Sequence, residues 1–259
     1  MYDYYLGGKD NYAVDREAAE KVLATTPAAP VHARANRAFL GRVVRVLAGE
    51  AGIDQFIDIG CGLPTQDNVH QVAQRVRADA RVLYVDNDPV VVSHGKALLA
   101  TDPQTRIINA DLRDPDSILR HPGLDGLIDL ALPVGVLFMS VLHCVPDDEQ
   151  VRGLIWRFRD TISPGSHIAI SHISLPTSAP GHAEGARRGA QVYTDVSAST
   201  SMTFRDEKQV AELFDGLDVI EPGLVGLADW RPDPVPGDLS SVGGATGIPS
   251  VNLCGVGRR

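Results

Sequence analysis

Glycine and acidic residues lie at the carboxyl ends of two predicted strands. Asp58, Gly60 and Gly62 come at the end of the apolar run 56–59. Glycines here let the backbone turn tightly into the next helix and let a ligand contact it, because they carry no side chain. Asp86 ends the next predicted strand, where a carboxylate can accept hydrogen bonds from ribose hydroxyls. The spacing predicts a nucleoside site.

A third predicted strand ends in a similar way. Asp111 and Leu112 follow the run 106–109, and a carboxylate at this place can accept a hydrogen bond from the exocyclic amine of adenine. Ligands of open α/β sheets bind outside the carboxyl ends of the strands. The three strand ends therefore predict one cradle for an adenosine group.

The glycine spacing separates two classes of nucleotide. A dinucleotide loop of the form G-x-G-x-x-G requires glycine at position 65, whereas the chain has Thr65 after Pro64. The difference disfavours an NAD(P)-type oxidoreductase built on a similar sheet. That function stays open as an alternative.

Five segments together resemble a known family. They are 2–11 (YDYYLGGKDN), 33–39 (ARANRAF), 58–65 (DIGCGLPT), 84–89 (YVDNDP) and 110–115 (ADLRDP). In combination they look like the S-adenosyl methyltransferase family, class I methyltransferases found mostly in actinobacteria and once known only as a domain of unknown function. The late segments 221–225 and 230–232 are similar as well, so the resemblance covers nearly the whole chain.

The resemblance implies S-adenosyl-L-methionine as the cofactor and methyl transfer as the reaction. We expect an oxygen or nitrogen nucleophile on a small molecule as the acceptor. A regulator that binds the same cofactor without catalysis is a second alternative. The residues that the resemblance places at the cofactor are Asp58, Gly60 and Gly62 in the loop, Asp86 at the ribose, and Asp111, Leu112 and Asn87 at the adenine.

His143 is the best candidate for a catalytic base. It follows the fourth predicted strand, at the edge of the pocket that faces the transferred methyl group in this architecture. A base is needed only when the nucleophile carries a proton, and a structural histidine in the strand-to-helix turn is the alternative. Cys144 is expected to pack, because no partner base is evident. Asp147 is expected to cap the next helix, and no metal site is predicted.

The same segment disfavours one kind of acceptor. Methyltransferases of nucleic-acid bases or glutamine amides have [Asn/Asp/Ser]-Pro-Pro-[Tyr/Phe] here, whereas residues 140–143 read Ser-Val-Leu-His. Methylation of such planar nitrogens is therefore not expected.

Two residues of a predicted N-terminal helix are candidates for the cofactor carboxylate. Arg34 supplies a positive charge and Asn36 a hydrogen-bonding amide, and arginine suits carboxylates because its donors match their geometry. The alternative is that Arg34 and Arg37 are solvated charges on an exposed helix face. The aromatic and glycine-rich segment 4–12 before this helix suits a lid over a pocket.

The elements that position these residues predict an α/β fold. Strands at 56–59, 81–85, 106–109, 134–140 and 167–173 alternate with helical segments, the pattern of a doubly wound, mostly parallel sheet. We expect seven strands in a Rossmann-like domain at 51–259, preceded by a helical cap at 1–50. A surface loop is predicted at 230–247, and an insertion that could cover the site at 176–201.

Composition limits the partners. The net charge is −9, and nucleic-acid binding draws on clustered basic residues, so no nucleic-acid partner is expected. No stretch of the sequence has the roughly 20 consecutive apolar residues of a bilayer span, and the first residues lack the pattern of a signal peptide. Three widely spaced cysteines favour reduced thiols. We expect a cytoplasmic protein with a small-molecule substrate, and the sequence predicts no oligomeric state.

Overall fold

Eight β-strands form one sheet in the computed structural model, which describes residues 1–64, 67–99, 102–174, 188, 191, 194, 202–233 and 252–259. The strands are β1 (Gln55–Ile59), β2 (Arg81–Asp86), β3 (Thr105–Asn109), β4 (Gly135–Met139), β5 (His167–Ile173), β6 (Asp218–Val219), β7 (Val225–Gly226) and β8 (Asn252–Arg258).

The strand order is β3-β2-β1-β4-β5-β8-β6, and β7 also pairs with β8. Strands β1 to β5 are parallel, whereas β8 runs antiparallel to β5, β6 and β7. The doubly wound, mostly parallel sheet is confirmed. Seven strands lie along the main path, as predicted, and the two-residue β7 is an additional one.

The central strands read as apolar runs because they are covered on both faces. Every residue of β1 and of β4 is buried, as expected for parallel strands between two layers of helices. Their carboxyl ends lie at the same edge of the sheet, since Ile59 pairs with Val85 and Phe138. This edge receives the turns that carry the predicted site residues.

Helices occupy both faces of the sheet. They are α1 (Tyr2–Tyr5), α2 (Ala13–Thr25), α3 (Ala29–Gly49), α4 (Val69–Val76), α5 (Pro89–Leu99), α6 (Pro115–Leu119), α7 (Asp148–Thr161) and α8 (Glu207–Ala211), and short 3₁₀ turns lie at Pro122–Leu124, Leu142–Cys144 and Glu212–Phe214. Asp147 caps α7 by accepting a hydrogen bond from the Gln150 N–H at 2.7 Å, as predicted. Such a cap contributes about 1 kcal/mol.

Two hydrophobic clusters fill the space between helices and sheet. The first includes Phe39 and Leu47 of α3, and the second includes Phe158 of α7 against Phe138 of β4. The rings of Phe138 and Phe158 meet edge to face at 5.3 Å between centroids. Burying each such side chain stabilises the fold by about 1.5–3 kcal/mol. Helix α3 therefore belongs to the hydrophobic core of the sheet.

The predicted surface loop at 230–247 is wrong at its first residue. Trp230 is fully buried, and its ring meets Phe39 edge to face at 5.4 Å. Arg42 of α3, also buried, donates hydrogen bonds to the carbonyl oxygens of Leu227 and Trp230. A tryptophan ring gains much free energy when its large apolar area is buried. This gain outweighs the preference of the neighbouring prolines and aspartates for a solvent-exposed loop. Residues 234–250, and nearly all of the predicted insertion 176–201, lie outside the described residues.

Within the described part of the chain, every helix is too short or too polar to cross a lipid bilayer.

Candidate functional site

A cavity of about 890 Å³ lies at the carboxyl ends of β1 to β5, bounded on the other side by the N-terminal helices. Nine of the ten predicted site residues line it: Asn36, Asp58, Gly60, Gly62, Asp86, Asn87, Asp111, Leu112 and His143. The tenth, Arg34, is exposed and is not among the lining residues. The three strand ends chosen from the sequence therefore meet in one place.

The turn after β1 requires glycine at two positions for different reasons. Gly60 has φ +70°, and a Cβ atom there would lie 2.4 Å from Cγ2 of Val141. Gly62 has φ +64°, and no atom lies within 4 Å of its Cβ position. The carbonyl oxygen of Val85 accepts hydrogen bonds from the N–H groups of Gly60 and Cys61, at 2.8 and 3.1 Å. The turn is fixed to β2, and its second glycine leaves space for a ligand.

Asp86 connects the end of β2 to this turn. Its Oδ2 accepts a hydrogen bond from the Gly62 N–H at 2.9 Å, and its Oδ1 accepts one from the Asp88 N–H at 3.0 Å. Burial raises the pKa of Asp86, and the backbone hydrogen bonds partly oppose that rise. The carboxylate lies at the cavity wall, held in one orientation by two backbone donors.

Asp58 is a carboxyl group taken almost entirely out of water. Only 4% of the residue is exposed. Its pKa is raised to about 7, chiefly by burial; the positive charge of Arg37 opposes this rise, and the negative charge of Asp86 adds to it. Burial of a charge without a close partner disfavours the ionised form. A cationic ligand group in the cavity would favour the ionised form.

Asp111 and Leu112 form the third side of the cradle. Nε of Arg113 lies 3.0 Å from both carboxylate oxygens of Asp111. The pKa of Asp111 is lowered, chiefly by Arg113, and the side chain of Asn87 contributes a hydrogen bond. Leu112 is partly buried and packs against the second hydrophobic cluster. The carboxylate is charged and half-accessible beside an apolar surface, an arrangement that fits a flat base with an amino group.

Helix α3 turns Arg37 rather than Arg34 toward the cavity. Arg37 lines the cavity and its Nη2 donates to Oδ1 of Asn68 at 3.1 Å. Asn36 is buried, its Nδ2 donates to the Tyr2 hydroxyl at 3.0 Å, and its Oδ1 accepts from Ser171 Oγ at 2.6 Å. Asn36 therefore holds neighbouring side chains together. The sequence analysis selected Arg34 for the cofactor carboxylate, with solvated charges at Arg34 and Arg37 as the alternative, whereas the structure brings Arg37 to the cavity and leaves Arg34 outside it.

Tyr2 is a cavity residue that the sequence did not single out. Its hydroxyl donates to the carbonyl oxygen of Ala33 at 3.0 Å while it accepts from Asn36. Through Ser171, whose Oγ accepts from the Ser140 N–H at 2.9 Å, this chain of hydrogen bonds reaches the turn after β4. Tyr2 belongs to the segment 2–11 of the resemblance, which was the available signal.

His143 lies in the 3₁₀ turn after β4 and is buried. Its pKa is lowered to about 3, chiefly by burial and in part by the charges of His172 and Arg205. Its ring meets that of His172 edge to face at 6.0 Å between centroids. Among the described residues, its Nδ1 has no hydrogen-bond partner. His143 is neutral near pH 7, and its conjugate acid is too strong for it to be an effective general base.

The cysteine thiols of the site are protonated. Burial raises the pKa of Cys144 to about 11, and it raises the pKa of Cys61 as well. A buried thiol is a weak nucleophile because the thiolate is the reactive form. Within the described ranges, no cluster of histidine, cysteine, aspartate or glutamate has the arrangement of a metal site.

Comparison with known proteins identifies relatives of the whole chain. A DUF574 family protein from Streptomyces avermitilis MA-4680 is 38% identical, with a TM-score of 0.87 over 100% of this chain and 95% of the other. A candidate methyltransferase from Thermobifida fusca YX is 37% identical, with a TM-score of 0.87 over 100% and 92%. Human N-acetylserotonin methyltransferase in complex with SAM is 15% identical, with a TM-score of 0.50 over 100% and 62%, and shares the fold alone. No curated protein matches the chain.

A family model described as S-adenosyl methyltransferase matches residues 1–259. That match spans both the cavity and the sheet that builds it. The chain therefore belongs to the S-adenosyl methyltransferase family, and it is an enzyme that uses S-adenosylmethionine as its cofactor.

Proposed function

We propose that the enzyme transfers the methyl group of S-adenosylmethionine to an oxygen or nitrogen atom of a small, uncharged acceptor. The observation that supports this most is one continuous cavity that joins the acidic strand ends to an apolar wall. Its 890 Å³ lies at the upper end of the range for ligand pockets, so it offers room for two ligands. When bound, the cofactor supplies a methyl group on a positively charged sulfur.

The cofactor half of the cavity offers a complementary group for each part of the ligand. Asp86, held by two backbone donors, is placed to accept the ribose hydroxyls. Asp111, Asn87 and Leu112 surround the place of the adenine. The open space over Gly62 lets the ligand approach the backbone.

The amino-acid end of the cofactor needs one negative and one positive partner. The desolvated carboxyl group of Asp58 gains a counter-ion when it faces an ammonium group. Arg37 lies close enough to Asp58 to lower its pKa and lines the same cavity. We assign the ammonium to Asp58 and the carboxylate to Arg37, in place of Arg34.

Among the residues that the structure describes, those lining the cavity around the carboxyl ends of β4 and β5 have uncharged side chains. We call Met139, His143, Ile173, Met202 and Phe204 the acceptor wall; all five line the cavity around the carboxyl ends of β4 and β5. Four are apolar, and His143 is neutral because burial lowers its pKa to about 3. A charged acceptor would be desolvated here without a counter-ion, which costs several kcal/mol. The wall therefore favours an uncharged acceptor with an apolar body.

His143 is suited to orienting the nucleophile. A neutral imidazole can donate or accept one hydrogen bond at the acceptor atom. Its low pKa disfavours removal of a proton from an unactivated hydroxyl group. We assign it the role of aligning the acceptor atom with the methyl group, a step for which geometry alone supplies much of the rate.

The N-terminal helices are proposed to cap the cavity. Met1, Tyr2, Asp3 and Tyr5 line it, and Asn11 donates a hydrogen bond to buried Asp3 at 2.7 Å. These contacts hold α1 over the cavity and would exclude water from it. In this proposal residues 1–50 form the cap and residues 51–259 the methyltransferase domain, and the two make a single compact unit because α3 of the cap packs into the core of the sheet.

The experiment separates small from large acceptors. The protein is incubated with methyl-tritiated S-adenosylmethionine and a bacterial extract divided into dialysable and macromolecular fractions. We expect label to enter the dialysable fraction in a form that is extracted into organic solvent. With Asp86→Asn, at a cofactor concentration below the wild-type dissociation constant, we expect much less label there. Label confined to protein or nucleic acid would contradict the small-molecule acceptor. Cofactor binding with no label in either fraction would favour a non-catalytic regulator.

A further inference from the structure

Arg205 is a buried cation that does not line the cavity. Only 1% of the residue is exposed. Its Nη1 donates to the carbonyl oxygen of Leu142 at 3.2 Å, and its Nη2 donates to that of Val145 at 2.8 Å. These two carbonyl groups flank His143 and Cys144 in the chain. One guanidinium therefore holds both ends of the turn that carries His143.

A neighbouring backbone contact completes this grip. The N–H of Thr203 donates to the carbonyl oxygen of His143 at 2.8 Å. Three carbonyl groups of the turn, at residues 142, 143 and 145, thus accept hydrogen bonds from residues 203–205. The same short segment places Met202 and Phe204 on the acceptor wall. The turn and the segment form one hydrogen-bonded unit.

Arg205 also fixes the proton on His172. Its Nη1 lies 3.0 Å from Nε2 of His172, and Nδ1 of that ring lies 2.7 Å from the carbonyl oxygen of Ile173. Arginine only donates hydrogen bonds, so Nε2 of His172 accepts and the proton is on Nδ1. The ring held in this way meets His143 edge to face.

Asp148 at the start of α7 holds the guanidinium itself, and Gln209 of α8 holds Asp148 in turn. Nε of Arg205 donates to Oδ1 of Asp148 at 2.9 Å. Oδ2 of Asp148 accepts from Nε2 of Gln209 at 2.9 Å. The ion pair offsets part of the cost of burying the charge. A planar group with five donors can satisfy the carboxylate, two carbonyl groups and an imidazole together, whereas an ammonium group cannot.

We propose that Arg205 is the positioning residue of the acceptor wall, which locks the His143 turn to the segment 202–204 and fixes the tautomer of His172 behind it. The proposal rests on the proposed function only in naming this wall as the acceptor side. Its test needs no acceptor, so it can fail or succeed independently of the methyl-transfer assay.

The test compares Arg205→Lys with the wild-type protein by two measurements. Hydrogen exchange reports the N–H groups of Cys144, Val145 and Thr203, which are bonded within the locked unit. Nitrogen NMR of labelled histidine rings, assigned with His143→Gln and His172→Gln, reports their tautomers. Arg152→Lys is the matched control, because Arg152 pairs with Glu212 on the half-exposed surface of α7.

In Arg205→Lys we expect the hydrogen-exchange rate of those three amides to rise by about tenfold or more, because the turn opens locally more often when it is no longer held by the guanidinium. We also expect the His172 ring to become a mixture of tautomers. Titration with S-adenosylhomocysteine should give an affinity within about twofold of the wild type, because the cofactor half keeps its contacts. Arg152→Lys should change none of these readings.

Unchanged exchange and an unchanged His172 tautomer in Arg205→Lys would overturn the proposal. Exchange that rises equally in the β1 turn at 58–62, with matching loss of cofactor affinity, would also overturn it by indicating a general structural role. If Arg205→Lys does not fold, Asp148→Asn decides. Asp148→Asn keeps an oxygen acceptor for Nε of Arg205 but removes the negative charge. The faster amide exchange and the mixture of His172 tautomers should therefore appear to a smaller extent. If neither appears, the proposal is refuted.

Discussion

The carboxylate of Asp86 accepts a hydrogen bond from the backbone N–H of Gly62 at 2.9 Å, so the end of β2 holds the glycine turn that follows β1. The carboxylate oxygens are thereby oriented before any ligand binds. Preorganised groups lower the cost of binding because less freedom is lost. Gly62 has a positive φ, which glycine adopts without strain, and its lack of a side chain leaves that part of the cavity open.

Arg37 and Arg34 give a matched test of the carboxylate site. Arg37→Ala should weaken S-adenosylhomocysteine binding by about tenfold or more, since a charge-assisted hydrogen bond contributes roughly 1.5–3 kcal/mol. Arg34→Ala should leave the affinity unchanged, because that side chain is exposed away from the cavity. Titration calorimetry of both variants checks this. Equal losses in both would refute the assignment to Arg37.

Asp58 should make cofactor affinity depend on pH. Its pKa near 7 means that the carboxylate forms only as the pH rises through that value, and an ammonium partner needs the ionised form. Between pH 6 and 7.5 the affinity should rise roughly fivefold to tenfold, following the ionised fraction. Asp58→Asn should bind weakly with a flat profile over this range, whereas the exposed control Asp79→Asn should keep the wild-type slope. A wild-type slope in Asp58→Asn would contradict the prediction.

The same carboxyl group should cost stability in the free protein. Its folded pKa lies above its unfolded value, so the folded state binds more protons between about pH 4 and 7 and stability falls as the pH rises through that window. Relative to Asp58→Asn, the wild type should lose about 2 kcal/mol of unfolding free energy between pH 5 and 7. Urea unfolding of both proteins at the two pH values gives this difference. A difference that does not change with pH would contradict the raised pKa.

Gly60→Ala should destabilise the fold through Val141. The new Cβ would lie 2.4 Å from Cγ2 of Val141 at a φ of +70°, so strain and overpacking together should cost about 2–4 kcal/mol. Gly62→Ala has a similar φ but nothing within 4 Å, and should cost only about 1 kcal/mol. The double variant Gly60→Ala/Val141→Ala should lose about 1 kcal/mol less unfolding free energy than the two single variants lose together. If the two single losses of unfolding free energy add up to the loss of the double variant in urea unfolding, the clash with Val141 is excluded.

Arg42 should matter for stability rather than for binding. Arg42→Leu removes the donors to the carbonyl oxygens of Leu227 and Trp230 and should cost about 3 kcal/mol, because buried acceptors lose their partner. Arg45→Leu, on the same helix, breaks an exposed ion pair with Asp233 and should cost under about 1 kcal/mol. Urea unfolding measures both. Similar losses of unfolding free energy in the two variants would show that the buried hydrogen bonds of Arg42 stabilise the fold no more than the exposed ion pair of Arg45.

Short-range features of the chain predicted the strands and the three strand ends that meet at the cavity. Apolar runs that end in Asp58, Asp86 and Asp111 encode both a buried strand and the polar edge where it ends, and parallel pairing then brings these ends together. Gly60 and Gly62 mark the turn because their backbone requirement is local. None of these inferences needed a distant contact.

The errors and omissions involve distant contacts. Successive helix residues point about 100° apart, so choosing between Arg34 and Arg37 needed the packing of α3 on the sheet. Arg205 finds its partners on the turn after β4, on β5 and on α7, and no local pattern indicates them. Trp230 stands among prolines and aspartates, yet it packs on Phe39, a residue distant in the chain. The surface loop was predicted from the prolines, glycines and aspartates of this segment, and the tendency of the tryptophan to be buried was not considered.

The most direct test of the cofactor site is calorimetric titration of the wild type and of Asp86→Asn with S-adenosylhomocysteine. The account predicts one binding event per chain for the wild type and an affinity lower by about tenfold or more for the variant, because a charged acceptor for two ribose hydroxyls is lost. Equal affinity in the two proteins, or no heat with the folded wild type, would contradict it.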